Sequence, residues 1–170
     1  MTQPVLKEPV VNHPRTQIAQ QSPEQFRKYL DFSMACKHSS IEPALVHLVD
    51  LRASQLNGCA FCVDMHVKEA RIEGERELRL HHVAVWRESP LFEPRERAAL
   101  AWTEALTRLA PEGVSDALYA ELREQFSEKE LGDLTFLVMA INGWNRASIA
   151  SRSVPGSMDK AYGLDKAGLA

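Results

Sequence analysis

Helix-start signals recur along this chain and constrain its fold more than any other feature. Pro23, Pro43 and Pro94 stand where a helix would begin, because proline is tolerated at the first helical position. After Pro23, apolar side chains at Phe26 and Leu30 lie one turn apart on one helical face. Such signals predict helices that begin near residues 22, 42, 59, 75, 93, 115 and 127. No stretch has a strand pattern, so we predict an all-α fold of about seven helices.

The length and the residue distribution predict a single domain with two flanking arms. A chain of 170 residues is long enough to bury one hydrophobic core. Residues 1–21 carry three prolines and no helical period, so we expect an extended N-terminal arm. We expect residues 22–150 to form the helical domain. Residues 151–170, rich in glycine, serine and alanine, predict a loosely ordered C-terminal tail.

Composition excludes two classes of partner. The net charge of -3 gives no electrostatic basis for nucleic-acid binding. No apolar run approaches the roughly 18 residues of a transmembrane helix, and the N-terminal segment lacks the apolar core of a signal peptide. We therefore expect a cytoplasmic protein that binds neither nucleic acid nor membrane. In that compartment a Cys-x-x-Cys pair is more often catalytic or metal-binding than a structural disulfide.

The chemically distinctive residues fall in one segment, LRASQLNGCAFCVDMHVKEA. Asn57-Gly58 is a turn signal that ends one helix, so Cys59 and Cys62 lie in the first turn of the next. His66 follows four residues after Cys62 and shares a helical face with both cysteines. Free N–H groups and the dipole at a helix start favour a thiolate, and a histidine one turn along can take its proton.

Three interpretations of this constellation stay open from spacing alone. In the first, one thiolate attacks a peroxide or a disulfide and the second cysteine resolves the product as an intramolecular disulfide. In the second, Cys59, Cys62 and His66 bind zinc, with His47 as fourth ligand. In the third, the cysteines are ordinary buried residues. The asparagine-glycine turn and the aligned histidine favour the redox pair. Cys36 is expected to be half-buried and without chemistry.

The same segment closely resembles the core of the carboxymuconolactone decarboxylase superfamily, in its AhpD-like alkylhydroperoxidase branch. The likeness extends from about Pro43 to Leu109, with a weaker echo at INGWNRASIA. Its specific part is the asparagine-glycine turn followed by Cys-x-x-Cys-x-x-x-His. The resemblance implies an AhpD-like helical fold and assembly as trimers or hexamers. It also implies that Cys62 attacks the peroxide, that Cys59 resolves it, and that the family's histidine is His66.

Two positions depart from the pattern of this branch. The family has a glutamate twelve residues before the first cysteine, where this chain has His47. A histidine can accept a proton near neutral pH but supplies no fixed negative charge, so we expect a pH-sensitive relay from His66 to His47. Some members also carry a histidine just before the second cysteine, where this chain has Phe61. The decarboxylase members lack the cysteine pair, so the resemblance implies redox chemistry instead of lactone decarboxylation.

These observations predict a thiol-dependent alkyl hydroperoxide reductase that acts in antioxidant defence. Its catalytic residues would be Cys59, Cys62, His66 and His47, with no metal and no other cofactor. Its partners would be a peroxide substrate, a thiol or dithiol reductant, and further copies of the same chain in a homo-oligomer. The alternative from another class is a non-enzymatic thiol redox switch or stress sensor that uses the same cysteine pair.

Overall fold

The computed structural model describes residues 14–169, and in this part of the chain it contains helices and no strand. The helices are α1 (Ile18–Gln21), α2 (Pro23–Lys37), α3 (Pro43–Asn57), α4 (Ala60–Ile72), α5 (Glu77–His82), α6 (Pro94–Thr107), α7 (Asp116–Gln125), α8 (Glu128–Ser151) and α9 (Asp159–Tyr162). Short 3₁₀ turns cover Val83–Val85 and Leu164–Ala167. The all-α prediction is confirmed, and the seven predicted helices correspond to α2 through α8.

The start signals act as expected. Pro23, Pro43 and Pro94 each occupy the first position of their helix. At the start of α8, the Ser127 hydroxyl accepts a hydrogen bond from the Glu130 amide at 3.2 Å, and the Glu130 carboxylate accepts one from the Ser127 amide at 2.8 Å. This reciprocal cap satisfies two N–H groups that the helix itself leaves unpaired.

Helix α3 lies at the centre of the domain and packs against α4, α6 and α8. Its side chains Leu45, Leu48 and Leu51 are at most 1% exposed. Burying a leucine of this kind stabilises a fold by about 2 kcal/mol, so α3 is a rigid reference for the helices around it. Within residues 14–169, no helix combines the length and apolar character needed to cross a membrane.

The structure differs from the sequence-based expectations in three segments. The helix that begins near the expected residue 75 covers only Glu77–His82, because the chain tightens into a 3₁₀ turn at Val83, whose side chain is fully buried. The expected N-terminal arm lies largely outside the described residues, and its described end forms α1. The tail from residue 151 folds back on α4, where Leu164 and Ala167 are buried, because its few apolar side chains find a surface there.

Candidate active site

The turn between α3 and α4 places the two cysteines. Gly58 adopts a left-handed conformation at φ 70°, which a glycine accepts without strain, and ends α3. The next amide, that of Cys59, donates to the Ser54 carbonyl at 3.0 Å. Cys59 is then the N-cap of α4, and its sulfur accepts a hydrogen bond from the Cys62 amide at 3.3 Å. The predicted positions of Cys59 and Cys62 at the start of a helix are therefore confirmed.

The two cysteines are joined as a disulfide, with their Cα atoms 5.3 Å apart. Both are buried, Cys59 at 2% exposure and Cys62 at 3%. Cys36 is a free, buried thiol. Burial is the main cause that raises its pKa, and the raised pKa keeps the thiol protonated. In this state the paired sulfurs are bonded to each other, which leaves no thiolate for zinc.

His66 lies one turn after Cys62 on the face of α4 that packs against α3. Its ring is buried, and its Nδ1 lies 2.9 Å from a carboxylate oxygen of Glu69 and 3.8 Å from one of Asp50. An ionised carboxylate can only accept a hydrogen bond, so Nδ1 carries the hydrogen. Nε2 is then the nitrogen that can take up a proton, which is the state required of a base for a thiol.

A lysine from a third helix completes this group. The ammonium of Lys37, at the end of α2, lies 3.2 Å from the Glu69 carboxylate and 3.5 Å from that of Asp50. Burial alone would raise the pKa of Glu69, but its hydrogen bond to His66 and the charges of His66 and Lys37 lower it to about 2. Burial works against charge on Lys37, yet the two carboxylates hold its pKa above the usual value. We call Lys37, Asp50, His66 and Glu69 the charged cluster.

The charged cluster also contains the atoms that a metal ion would need. One ligand atom each from Asp50, His66 and Glu69 lie within 4.8 Å of one another. However, the Lys37 ammonium contacts the same two carboxylate oxygens that approach His66. The Lys37 ammonium therefore neutralises part of the negative charge that a metal ion would otherwise neutralise. These side chains fit a network of ion pairs around a histidine better than a metal centre.

The remaining predicted site residue, His47, lies on the same face of α3 as Asp50, one turn earlier. It is buried at 7% exposure, and its Nε2 lies 3.0 Å from a carboxylate oxygen of Glu73, the residue that ends α4. The two atoms are not aligned for a hydrogen bond, and within residues 14–169 neither ring nitrogen of His47 has a hydrogen-bond partner. Among the hydrogen bonds and ion pairs of residues 14–169, none joins His47 to His66. The structure thus brings Cys59, Cys62 and His66 onto one face and pairs His47 elsewhere.

A second set of polar side chains braces the turn from the other side. The Asn57 amide donates to the side-chain oxygens of Asn142 and Asn145, at 3.0 and 2.8 Å. Asn145 donates to the Ser54 hydroxyl at 3.0 Å, and Asn142 donates to the Thr107 hydroxyl at 2.9 Å. We call these five residues the amide network. The asparagines of the INGWN segment in α8 therefore make a contact between helices.

Sequence reasoning missed Lys37, Asp50, Glu69 and the partner of His47. Glu69 stands three residues after His66, a spacing at which side chains on a helix meet, and this signal was available. Asp50 stands three residues after His47 on the same face, which was a weaker signal. Lys37 carries no local signal, because only the packing of α2 beside α3 and α4 brings it to the cluster.

The sequence of this chain is similar to a known family and to known proteins. The model of the carboxymuconolactone decarboxylase family matches residues 23–105. The chain is 40% identical to YdfG of Bacillus subtilis over 129 residues, which cover 76% of this chain and 88% of YdfG. It is also 40% identical to YnjA of Escherichia coli over 103 residues, which cover 60% of this chain and 56% of YnjA.

A solved structure of a similar protein shows the same fold. ATU0492 of Agrobacterium tumefaciens superposes with a TM-score of 0.81 at 42% identity, covering 84% of this chain and 98% of that one. It is described as a protein of unknown function and a candidate antioxidant defence protein AhpD. The fold and the cysteine pair define an AhpD-like helical protein. The chain belongs to the carboxymuconolactone decarboxylase family, in its AhpD-like branch.

Proposed function

We propose that this protein is a thiol-dependent alkyl hydroperoxide reductase of antioxidant defence. One observation carries the proposal: Cys59 and Cys62 form a disulfide at the start of α4, one turn before a buried histidine whose Nδ1 is held by a carboxylate. A dithiol that closes within a single helical turn suits a two-electron cycle, because oxidation needs no second protein. The description of ATU0492 as a candidate antioxidant defence protein supports the same class.

The reaction would proceed in two steps, one two-electron oxidation of Cys62 by the peroxide and then a condensation between the two cysteines. The thiolate of Cys62 attacks the terminal oxygen of the hydroperoxide, the O–O bond breaks, and a sulfenic acid forms on Cys62. The departing alkoxide takes a proton, which protonated His66 can supply, and leaves as the alcohol. The thiolate of Cys59 then attacks the Cys62 sulfur. Hydroxide leaves, takes up a proton as water, and the disulfide forms.

An external thiol or dithiol would return the pair to its reduced state. Two electrons and two protons from this reductant convert the disulfide to two thiols, and the reductant leaves as its own disulfide. We propose that this cycle runs in the cytoplasm, where thiol reductants keep cysteines reduced. The substrate would be small, because both sulfurs are almost completely buried.

Within the pair we assign the attack to Cys62. The helix start favours a thiolate at Cys59, whose sulfur accepts a hydrogen bond from the Cys62 amide. However, His66 as a base acts on one specific thiol, that of Cys62, which lies a single turn before it. With Cys59→Ser, peroxide should leave a sulfenic acid on Cys62 that dimedone traps. With Cys62→Ser, no trapped product should appear on Cys59, and the reverse pattern would overturn the assignment.

The decisive experiment for the function is turnover. Reduced protein is mixed with an excess of cumene hydroperoxide and a regenerating dithiol, and peroxide loss is followed against a no-protein control. An enzyme consumes many equivalents, whereas a redox switch oxidises once and stops. After one equivalent without reductant, intact mass should fall by two hydrogens in the parent but not in Cys62→Ser.

We also propose that the chain works as a homo-oligomer with trimeric packing as its unit. Helix α8 leaves Phe136 and Met139 more than half exposed, at 51% and 53%, which supports an apolar contact with another copy. Light scattering at micromolar concentration tests this proposal. A particle of 19.1 kDa, the mass of one chain, would contradict it.

A further inference from the structure

We propose that Glu69 is the carboxylate that positions His66 in this chain, and that Lys37 and Asp50 hold it there. The inference rests on the proposed thiol chemistry and names residues that the resemblance does not supply. It relocates the acidic partner of the histidine from position 47 on α3 to α4 itself. Glu69 acts through His66 and not on the sulfurs, so it is a positioning residue.

Geometry on α4 carries the first step. Glu69 follows His66 by three residues, so both side chains leave the helix on the face toward α3. The 2.9 Å contact joins the Glu69 carboxylate to Nδ1, which fixes the tautomer and the ring plane in one bond. Without an acceptor at this place, the ring hydrogen could reside on Nε2, and His66 could not take a proton from a thiol through that nitrogen.

The charge balance carries the second step. Asp50 is almost fully buried, and its Oδ2 has no hydrogen-bond partner among the described residues, so its charge depends on the cations around it. Lys37 supplies one positive charge against the two carboxylates. An imidazolium at His66 is the charge that neutralises the remainder. The cluster therefore suits a histidine that gains and loses a proton during thiol chemistry.

Position 47 is occupied differently. His47 lies against Glu73, whose side chain is 56% exposed, and this contact is at the far end of α4 from the cysteines. His47, which stands where the family has a glutamate, is therefore paired with the carboxylate of Glu73 and not with His66. The carboxylates next to His66 come instead from Asp50, one turn along α3, and from Glu69.

The test measures the state of His66 and the reactivity of Cys62 without using peroxide. In a Cys36→Ser/Cys59→Ser background only Cys62 remains to react with iodoacetamide. Glu69→Ala should lower its alkylation rate at pH 7 by about tenfold, the size of effect that follows when the carboxylate orienting a metal-binding histidine is removed. In parallel, the ¹⁵N spectrum of the His66 ring should lose its Nδ1–H signature.

Two companion variants keep the outcome interpretable. Glu69→Gln retains a side-chain oxygen that accepts from Nδ1, so the ring signature should persist while the alkylation rate falls by a smaller factor. Glu73→Ala removes a carboxylate one turn further along the same helix that does not contact His66, and it should match the parent in both measurements. If Glu69→Ala unfolds, the Gln variant alone decides, because it preserves length and hydrogen bonding.

The results separate this inference from the proposed function. Parent-like alkylation and an unchanged ring spectrum in Glu69→Ala would overturn the inference. A larger loss in His47→Ala than in Glu69→Ala would return the relay to position 47 and also overturn it. If Glu69→Ala behaves as expected but the parent consumes no peroxide in the turnover assay, the positioning role stands and the peroxidase proposal fails.

Discussion

Two largely buried polar regions flank the redox turn, and they differ in chemistry: one is neutral and the other is charged. The amide network consists of amides and hydroxyls, and each of its donor–acceptor contacts is a well-formed hydrogen bond. The charged cluster consists of four ionisable groups, and in the part of the chain that the structure describes one carboxylate oxygen of Asp50 has no hydrogen bond. A satisfied neutral network fixes geometry at any pH, whereas a charged cluster responds to every proton gained or lost.

The regions also differ in what they hold. The amide network ties Asn57, the last residue of α3, to α8, and so anchors the turn that carries Cys59. The charged cluster ties α2 and α3 to His66. Ser54 connects the two, because its hydroxyl accepts from Asn145 and donates to the Asp50 carbonyl. We infer that one region sets where the sulfurs lie and the other sets the proton supply.

The strongest way to break the comparison is to remove the cation of the charged cluster. Lys37→Met leaves two carboxylates beside His66, one of them fully buried, and should lower the free energy of unfolding at pH 7 by about 3 kcal/mol. Urea denaturation measures this change. Lys28→Met, which removes an exposed lysine paired with Glu24 on the same helix, should change it by less than about 0.5 kcal/mol. Equal losses in the two variants would show that the cluster is not a buried ionic unit.

Loss of one amide should be smaller and independent of pH. Asn145→Ala removes two hydrogen bonds, one from the half-buried Asn57 amide and one to the buried Ser54 hydroxyl, which together should cost about 2 kcal/mol. The loss should be the same at pH 5 and pH 8. Gln25→Ala, an exposed amide on α2, serves as the control and should lie within about 0.5 kcal/mol of the parent. If the loss of unfolding free energy differs between pH 5 and pH 8, the amide network is not independent of pH and does not differ from the charged cluster in this respect.

Acid should reveal the charged cluster directly. The pKa of Glu69 is lowered from 4.5 to about 2 in the folded protein, so its ionised form stabilises the fold above pH 4.5. This stabilisation is lost as the pH falls from 4.5 toward 2. Across that window the parent should lose about 2 kcal/mol more than Glu69→Gln, measured by urea denaturation. Asn145→Ala should retain the slope of the parent, and a parent-like slope in Glu69→Gln would contradict the prediction.

A charged group on the opposite face of α4 should have the smallest effect. Lys68, two residues after His66, is buried and pairs with Asp159 of the tail at 2.7 Å. Asp159→Asn should cost about 1 kcal/mol of stability, because Asp64 still balances Lys68. The alkylation rate of Cys62 should not change. A change in that rate would mean that charge anywhere on α4, and not the cluster alone, controls the thiol.

Much of the site could be predicted from local sequence, and the reason is helical periodicity. The Asn57-Gly58 stop fixed where α4 starts, and the spacing of Cys59, Cys62 and His66 fixed their common face. Periodicity also put Glu69 within reach of His66, but it put Glu73 on the same face. Spacing alone does not tell which glutamate meets a histidine, because that depends on what the neighbouring helix presents.

By itself, the sequence determined the seven main helices and the turn that places the two cysteines, since these depend on contacts within a few residues. Only the tertiary structure decided that Lys37 of α2 balances Asp50 and Glu69, and that the asparagines of α8 brace the turn. It also paired His47 with Glu73 and folded the tail onto α4. The polar contacts among these join residues 13 to 92 positions apart along the chain. The packing of α3 against its neighbouring helices decides which residues interact. A buried charge is removed from water, so it must be stabilised by the polar or charged group that the fold places next to it.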